Sequence, residues 1–298
     1  MKQKRETLSS SPFWPAFLAT IVFGIVLFAL LTTNKPPTSQ EVLSEALSNQ
    51  LNEQSIYRSK TVEEGKSKQV QVTEVSFENP DSPVSRDYVK LQNNAGDSVN
   101  IVETEGVGSK EADYIRYINV QNQNSNNATQ KILGRWAENK ASEQQPAQFL
   151  ENALFGSPLM SGGLTAQQAD EIMNKLESSK AVKIQTVDTN YKEAGKKLYK
   201  YKLSLNLKEY IPIFQTYLQS IGMEESAAKL SAPSSDSFLP ITVFVDPYTK
   251  KIVKVQNAQD SESAQDIYQR TSFIVPPAKP TSIKLSLEEL QNAFASQQ

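Results

Sequence analysis

The longest apolar run in the chain is FWPAFLATIVFGIVLFALL, residues 13–31, with no charge anywhere in it. At about 19 residues it approaches the ~20 that a helix needs to cross a ~30 Å hydrocarbon layer. A core helix of that length shows a polar face, and this run shows none, so the pattern predicts a transmembrane helix over 13–33. Lys2, Lys4 and Arg5 precede it and only Lys35 follows closely. The positive-inside rule then leaves residues 1–12 as a cytoplasmic tail and sends the rest outside. A cleaved signal peptide has a shorter apolar region, about 7–15 residues, and ends at small residues. Ala29-Leu30-Leu31-Thr32-Thr33 is a poor site of that kind, which favours an uncleaved anchor.

Residues 34–40, with Pro36-Pro37, read as a stiff linker into an extracytoplasmic domain over 41–298. Thr38 and Glu41 have capping-box spacing, and Val42, Leu43, Ala46, Leu47 and Leu51 form a helical stripe. Strands are predicted over 56–62, 69–77, 87–91, 99–103 and 114–120, separated by turn-rich segments, including a turn around Gly106-Val107-Gly108. In the second strand Val70 and Val72 share one parity while Val75 and Phe77 take the other, a slip that predicts a bulge. Helices are expected over 147–154 and 166–178, the latter capped by Thr165 with Gln168.

The cleanest alternation is KKLYKYKLSLNL. Tyr199, Tyr201, Leu203, Leu205 and Leu207 fall on one face, opposite Lys200, Lys202, Ser204 and Asn206. Residues 181–187 are its expected hairpin partner. A helix follows, with Tyr210, Phe214, Tyr217, Leu218 and Ile221 on one side and Gly222 as its stop. Then come a hairpin over 241–256 turning at Asp246-Pro247, a strand over 267–275, and a last helix from Ser286 with Glu289 in capping-box position. In the hairpin, Val243, Val245, Val253 and Val255 should face one side, and Phe244 and Ile252 the other. Antiparallel strand runs interrupted by helices give an α+β fold, with a transmembrane helix followed by an antiparallel sheet packed with helices.

Composition narrows the chemistry. The chain of 298 residues contains no histidine and no cysteine, and its net charge is −2. Lipoprotein attachment, disulfides, thiol chemistry, most zinc sites and histidine-assisted nucleophiles are thereby removed. Near-neutral charge gives no field for nucleic acid. The pairs Ser67-Lys68, Ser109-Lys110 and Ser179-Lys180 lack the setting of a serine–lysine hydrolase. The loop GSPLMSGG over 156–163 lacks the spacing of a nucleophile elbow. Glu63-Glu64, Glu224-Glu225 and Asp188 with Asn190 read as solvated or turn residues, and Asp260, Glu262 and Asp266 as a weak acidic patch. No cofactor is expected and the chain reads as non-enzymatic. The aromatic helix face reads first as core. Its functional reading is the lining of an apolar pocket, to which Phe244 adds a second apolar strand face.

An N-terminal membrane signal, a helix, a strand meander, a helical insertion and then VFVDPYTKKIVKV over 243–255 resemble the LolA-like superfamily. That superfamily includes lipoprotein carriers and the LppX- and LprG-type envelope lipoproteins. The resemblance implies a curved antiparallel half-barrel closed by helices around an apolar cavity. It implies a membrane-anchored envelope protein binding a lipid or other apolar ligand through Tyr210, Phe214, Tyr217, Leu218, Ile221 and Phe244. The alternative expectation is an interaction or assembly module with a fully packed core and an envelope protein as partner.

Overall fold

The computed structural model describes residues 37–79, 81–95, 98–121, 132–140, 147–257, 265–268, 283–286 and 288–289. The predicted membrane anchor lies outside them. Among the described residues no helix is long and apolar enough to cross a membrane. The chain divides into two compact units, Met1–Gln40 and Glu41–Gln298.

Helix α1 (Ser39–Asn52) leads into a meander of β1 (Ser55–Glu64), β2 (Ser67–Ser76), β3 (Val84–Ala95), β4 (Ser98–Gly108), β5 (Ala112–Gln121) and β6 (Trp136–Lys140). Helices α2 (Phe149–Phe155) and α3 (Ala166–Ser179) follow. Then come β7 (Val182–Asp188), a small ribbon of β8 (Lys192–Glu193) and β9 (Lys196–Lys197), and β10 (Tyr199–Asn206). Helices α4 (Leu207–Ser220) and α5 (Glu224–Lys229) precede β11 (Phe238–Asp246), β12 (Lys251–Asn257), β13 (Gln265–Tyr268) and β14 (Ile283–Ser286). Twelve of these strands form one curved, mostly antiparallel sheet, ordered β14-β6-β5-β4-β3-β2-β1-β13-β12-β11-β10-β7. Two meander halves thus meet at a seam where β1 pairs with the four residues of β13. The exception to antiparallel pairing is β14 on β6.

Local chemistry explains most elements. On β10, Tyr201, Leu203 and Leu205 are buried while Lys202 is exposed, as its alternation demands. β7 pairs with it as expected, Tyr201 opposite Val187. The α3 start is a full capping box between Thr165 and Gln168. Asn206 caps α4 by accepting from the Lys208 N–H at 3.3 Å. Ser286 and Glu289 exchange the two bonds of their own capping box, at 2.6 and 3.1 Å.

Three expectations are corrected. β2 has no bulge, because its register runs unbroken against both neighbours. The slip in parity is real for another reason: Val75 enters the core while Val72 faces the other side of the sheet. Gly106-Val107-Gly108 is strand, and the reversal falls at Ser109, whose N–H donates to the Ala112 carbonyl at 2.9 Å. In the late hairpin the bulge stands in β12. Phe244 pairs with Lys254 and Val245 with Ile252, which leaves Val253 as the extra residue. That shift turns Ile252 inward, beside Val245 and Val255, and excludes Val253. The turn is as read: the Asp246 carboxylate accepts from the N–H groups of Tyr248 and Thr249. Strands β6 and β14 and the β8–β9 ribbon are not among the predicted elements.

The main core joins α1, β1, β2, the helices α2–α5 and β10–β12 on one face of the sheet, here the inner face. A second cluster of Val84, Val107, Ala112, Tyr114 and Trp136 spans β3–β6.

Candidate functional site

Five of the six predicted site residues come together. Tyr217, Leu218 and Ile221 are at most 1% exposed and Tyr210 6%. Phe214, half-buried, stacks between Tyr210 and Tyr217, with ring centroids 6.2 and 5.7 Å away. Their polar tips are satisfied by the segment 157–164 lying against them. The Tyr217 hydroxyl donates to the Ser161 carbonyl at 2.7 Å, and the Tyr210 hydroxyl to that of Pro158 at 2.8 Å. Buried tyrosines need such partners, and here the aromatic face of α4 is packed core. Phe244 does not join them. It stands on the outer face, with Tyr191 5.2 Å away and the Lys254 ammonium 4.1 Å above its ring. Strand alternation is the cause, since Val243 and Val245 on either side point to the core.

Helix α2 lies across the inner face at β2–β4 because two glycines let it approach. A Cβ on Gly106 would meet the Phe149 ring at 2.8 Å, and one on Gly108 the Leu150 amide nitrogen at 2.5 Å. Both ends of α2 are held by charges of the matching sign. At the start, the Asp113 carboxylate accepts from the Gln148 and Phe149 N–H groups at 2.7 and 3.1 Å. In the last turn, Arg58 donates from Nη2 to the Ala153 carbonyl at 3.1 Å. An acid at a helix start and a base at its end both complement the helix dipole. Beside this helix, between α2 and β1–β2, is a void of about 10 Å³ lined by Arg58, Thr73, Leu154 and Ser161. That is room for one water.

Asp87 stands next in this inner-face row and accepts from the Thr73 hydroxyl at 2.7 Å. Burial pushes its carboxyl up to about 6, against the opposing pull of Thr73 and Arg58. Burial also raises Asp113, opposed by its two backbone donors. Beyond Asp87 the same face continues as Val89 and Leu91 on β3, with Thr104 and Val102 opposite them on β4. Val89 and Val102 are half-buried, and Leu91 is 46% exposed. Sequence reasoning missed this strip because Val89 and Leu91 look like the ordinary apolar side of a strand. Only the short reach of α2 shows that, among the described residues, the helical layer stops short of them.

The other sequence candidates are engaged in local structure. Ser109 Oγ accepts from Glu111 and Ala112 in its turn, and Lys110 donates to the Asp81 carbonyl. Ser179 Oγ donates to Leu176 at the end of α3, and Lys68 pairs with Glu63 at 2.7 Å. Asp188 accepts from the Asn190 N–H in an Asx turn. Asp260 and Glu262, and the Asp266 side chain, lie outside what is described. No cluster of three metal-ligating side chains occurs among the described residues.

No family model matches the chain, and no curated protein matches it. Among solved structures the fold has a weak structural resemblance to "Crystal structure of LprF from Mycobacterium bovis". The match covers 83% of this chain and 100% of that one, at 11% identity and a TM-score of 0.42.

Proposed function

We propose that the chain is a non-enzymatic envelope protein, anchored by residues 13–33 with its C-terminal domain extracytoplasmic, that holds a lipid or other apolar ligand against the inner face of its sheet. One observation supports the reading. The inner face is covered by helices at β2–β4 near Gly108 and Ser85, yet it continues past α2 as Val89, Leu91 and Val102, with Leu91 46% exposed. An apolar strip on the helix-bearing side of a sheet is where an apolar molecule gains most by leaving water.

Native mass spectrometry of the full chain from detergent tests this. Wild type should carry an apolar adduct, and Leu91→Lys should lose it while remaining folded. Repeated preparations without any adduct refute the reading. The orientation is tested separately by protease added outside intact cells, which should digest the chain beyond about Lys35; complete protection overturns it.

The packed face of α4, with Leu218 and Ile221 fully buried, favours a second reading: an assembly module that acts through its surface and takes no ligand. It predicts adduct-free protein and a single dominant partner on cross-linking in membranes.

A further inference from the structure

The outer face of β1–β5 carries a groove of about 250 Å³ that is separate from the inner-face strip. Tyr57 on β1 and Tyr88 on β3 stand at its sides, with Val72 and Glu74 of β2 between them. That volume lies just below the ~300 Å³ at which pockets for drug-sized ligands begin, so it suits one or two small rings.

The charges in and around the groove are paired with one another. Glu105, 5% exposed, accepts from Arg86 Nε at 2.7 Å and from Arg116 Nε at 2.7 Å. Arg116 is braced from behind by Trp136, with 4.7 Å between guanidinium carbon and ring centroid. One row along, Lys90 pairs with Glu103 at 3.0 Å, and the Tyr88 hydroxyl also bonds to Glu103. Three cations, Arg86, Arg116 and Lys90, thus stand against three carboxylates, Glu74, Glu103 and Glu105. Such a surface offers fixed donors and acceptors with no net field, which suits neither an anion nor a cation.

One irregularity, in β5, and one loosely paired carboxylate open the groove to contact. The bulge in β5 inserts Ile118 between Tyr117 and Asn119 and leaves it 41% exposed at the groove edge. Bulges re-aim side chains in this way. Glu74 has Arg86 Nη1 at 4.0 Å as its ionic partner, so its carboxyl keeps acceptor capacity for a guest.

We propose that this groove binds a neutral glycan segment of one or two pyranose rings. The tyrosine rings take the apolar C–H faces of the sugar, while Glu74 and Arg86 take its hydroxyls. Isothermal titration of the full chain with a β-1,4-linked N-acetylglucosamine tetramer, and separately with maltotetraose, tests it. Saturable binding of at least one is expected, weakened about tenfold or more by Tyr88→Ala and by Ile118→Glu. Tyr248→Ala, at a hairpin tip 80% exposed, should leave binding unchanged. Urea midpoints verify that each variant is folded. No binding of either sugar at about 5 mM, equal binding by all variants, or tighter binding of a lysine-rich peptide overturns the proposal. Loss of the apolar adduct by Leu91→Lys would leave sugar binding intact, so the two sites fail separately.

Discussion

The seating of α2 on a glycine pair gives a sharp mutational contrast. On Gly108, an added methyl would stand 2.5 Å from the Leu150 amide nitrogen and 2.7 Å from both Phe149 Cβ and Ser85 Oγ. Backbone cannot swing aside, so the start of α2 must lift, and with it the hydrogen bonds from Gln148 and Phe149 to Asp113. On Gly106 the obstacle is the far edge of the Phe149 ring at 2.8 Å, which a rotamer change relieves. Overpacking of a core costs about 1–3 kcal/mol, and weakening one hydrogen bond to a charged group adds about 1.5 kcal/mol or more. Gly108→Ala should therefore lose about 3–4 kcal/mol, and Gly106→Ala about 1 kcal/mol, after the ~0.5–1 kcal/mol that replacing a strand glycine returns. Urea denaturation reads this as a lower midpoint at constant slope. Adding Phe149→Leu should rescue Gly106→Ala and leave Gly108→Ala unrescued. Equal stability of the two single variants, or rescue of Gly108→Ala, refutes the close-approach argument.

Asp87 predicts a pH dependence. Its folded carboxyl sits at about 6 against an ordinary 3.8, so the folded state favours the protonated form. Its contribution is then fully present below about pH 4 and is lost as pH rises through about 6, at up to ~3 kcal/mol. Asp87→Asn should flatten that part of the urea-midpoint profile, and an unchanged profile would refute the assignment. The Lys254 side chain, 8% exposed, pairs with Glu193 at 2.6 Å. Glu193→Ala leaves that ammonium with the Phe244 ring alone and should cost about 1–2 kcal/mol, whereas Lys254→Met should cost less than ~1 kcal/mol because no buried charge is stranded. Thr165→Ala removes the α3 capping box and should lower stability by about 1 kcal/mol, measured the same way; no change would mean that the box is dispensable.

Much of the architecture was legible wherever burial imposes a period. β10 could be read because one face is buried and the other wet, and the turn of the late hairpin because Asp246-Pro247 marks it, whereas the bulge at Val253 that swaps the faces of β12 left no mark in the pattern. α3 could be read because Thr165 and Gln168 mark its start. β6 and β14 could not, since Trp136–Lys140 and Ile283–Ser286 are too short to show a period and gain their place by pairing with distant strands. Gly106 and Gly108 resembled a turn because a glycine needed for close approach looks like one needed for reversal. The apolar helix at Tyr210–Ile221 was found and read first as core, but the carbonyls that receive its tyrosine hydroxyls were not, since they come from residues some fifty positions earlier. The outer groove was hidden for a related reason. Val72 and Ile118 look misplaced in their strands until register shows which face they share.

The seam between β1 and β13 has a kinetic consequence. By residue 140 the six strands β1–β6 of the first half are all present in the chain, yet the open edge of β1 finds its partner only at Gln265–Tyr268. At a synthesis rate of about 5–20 residues per second, the roughly 200 intervening residues hold that edge unpaired for on the order of 10–40 s. An unpaired strand edge is a template for other chains. β1 meets that interval with Arg58, Lys60, Glu63 and Glu64 along its length, charges that make the waiting edge a poor docking site for a neighbouring nascent chain.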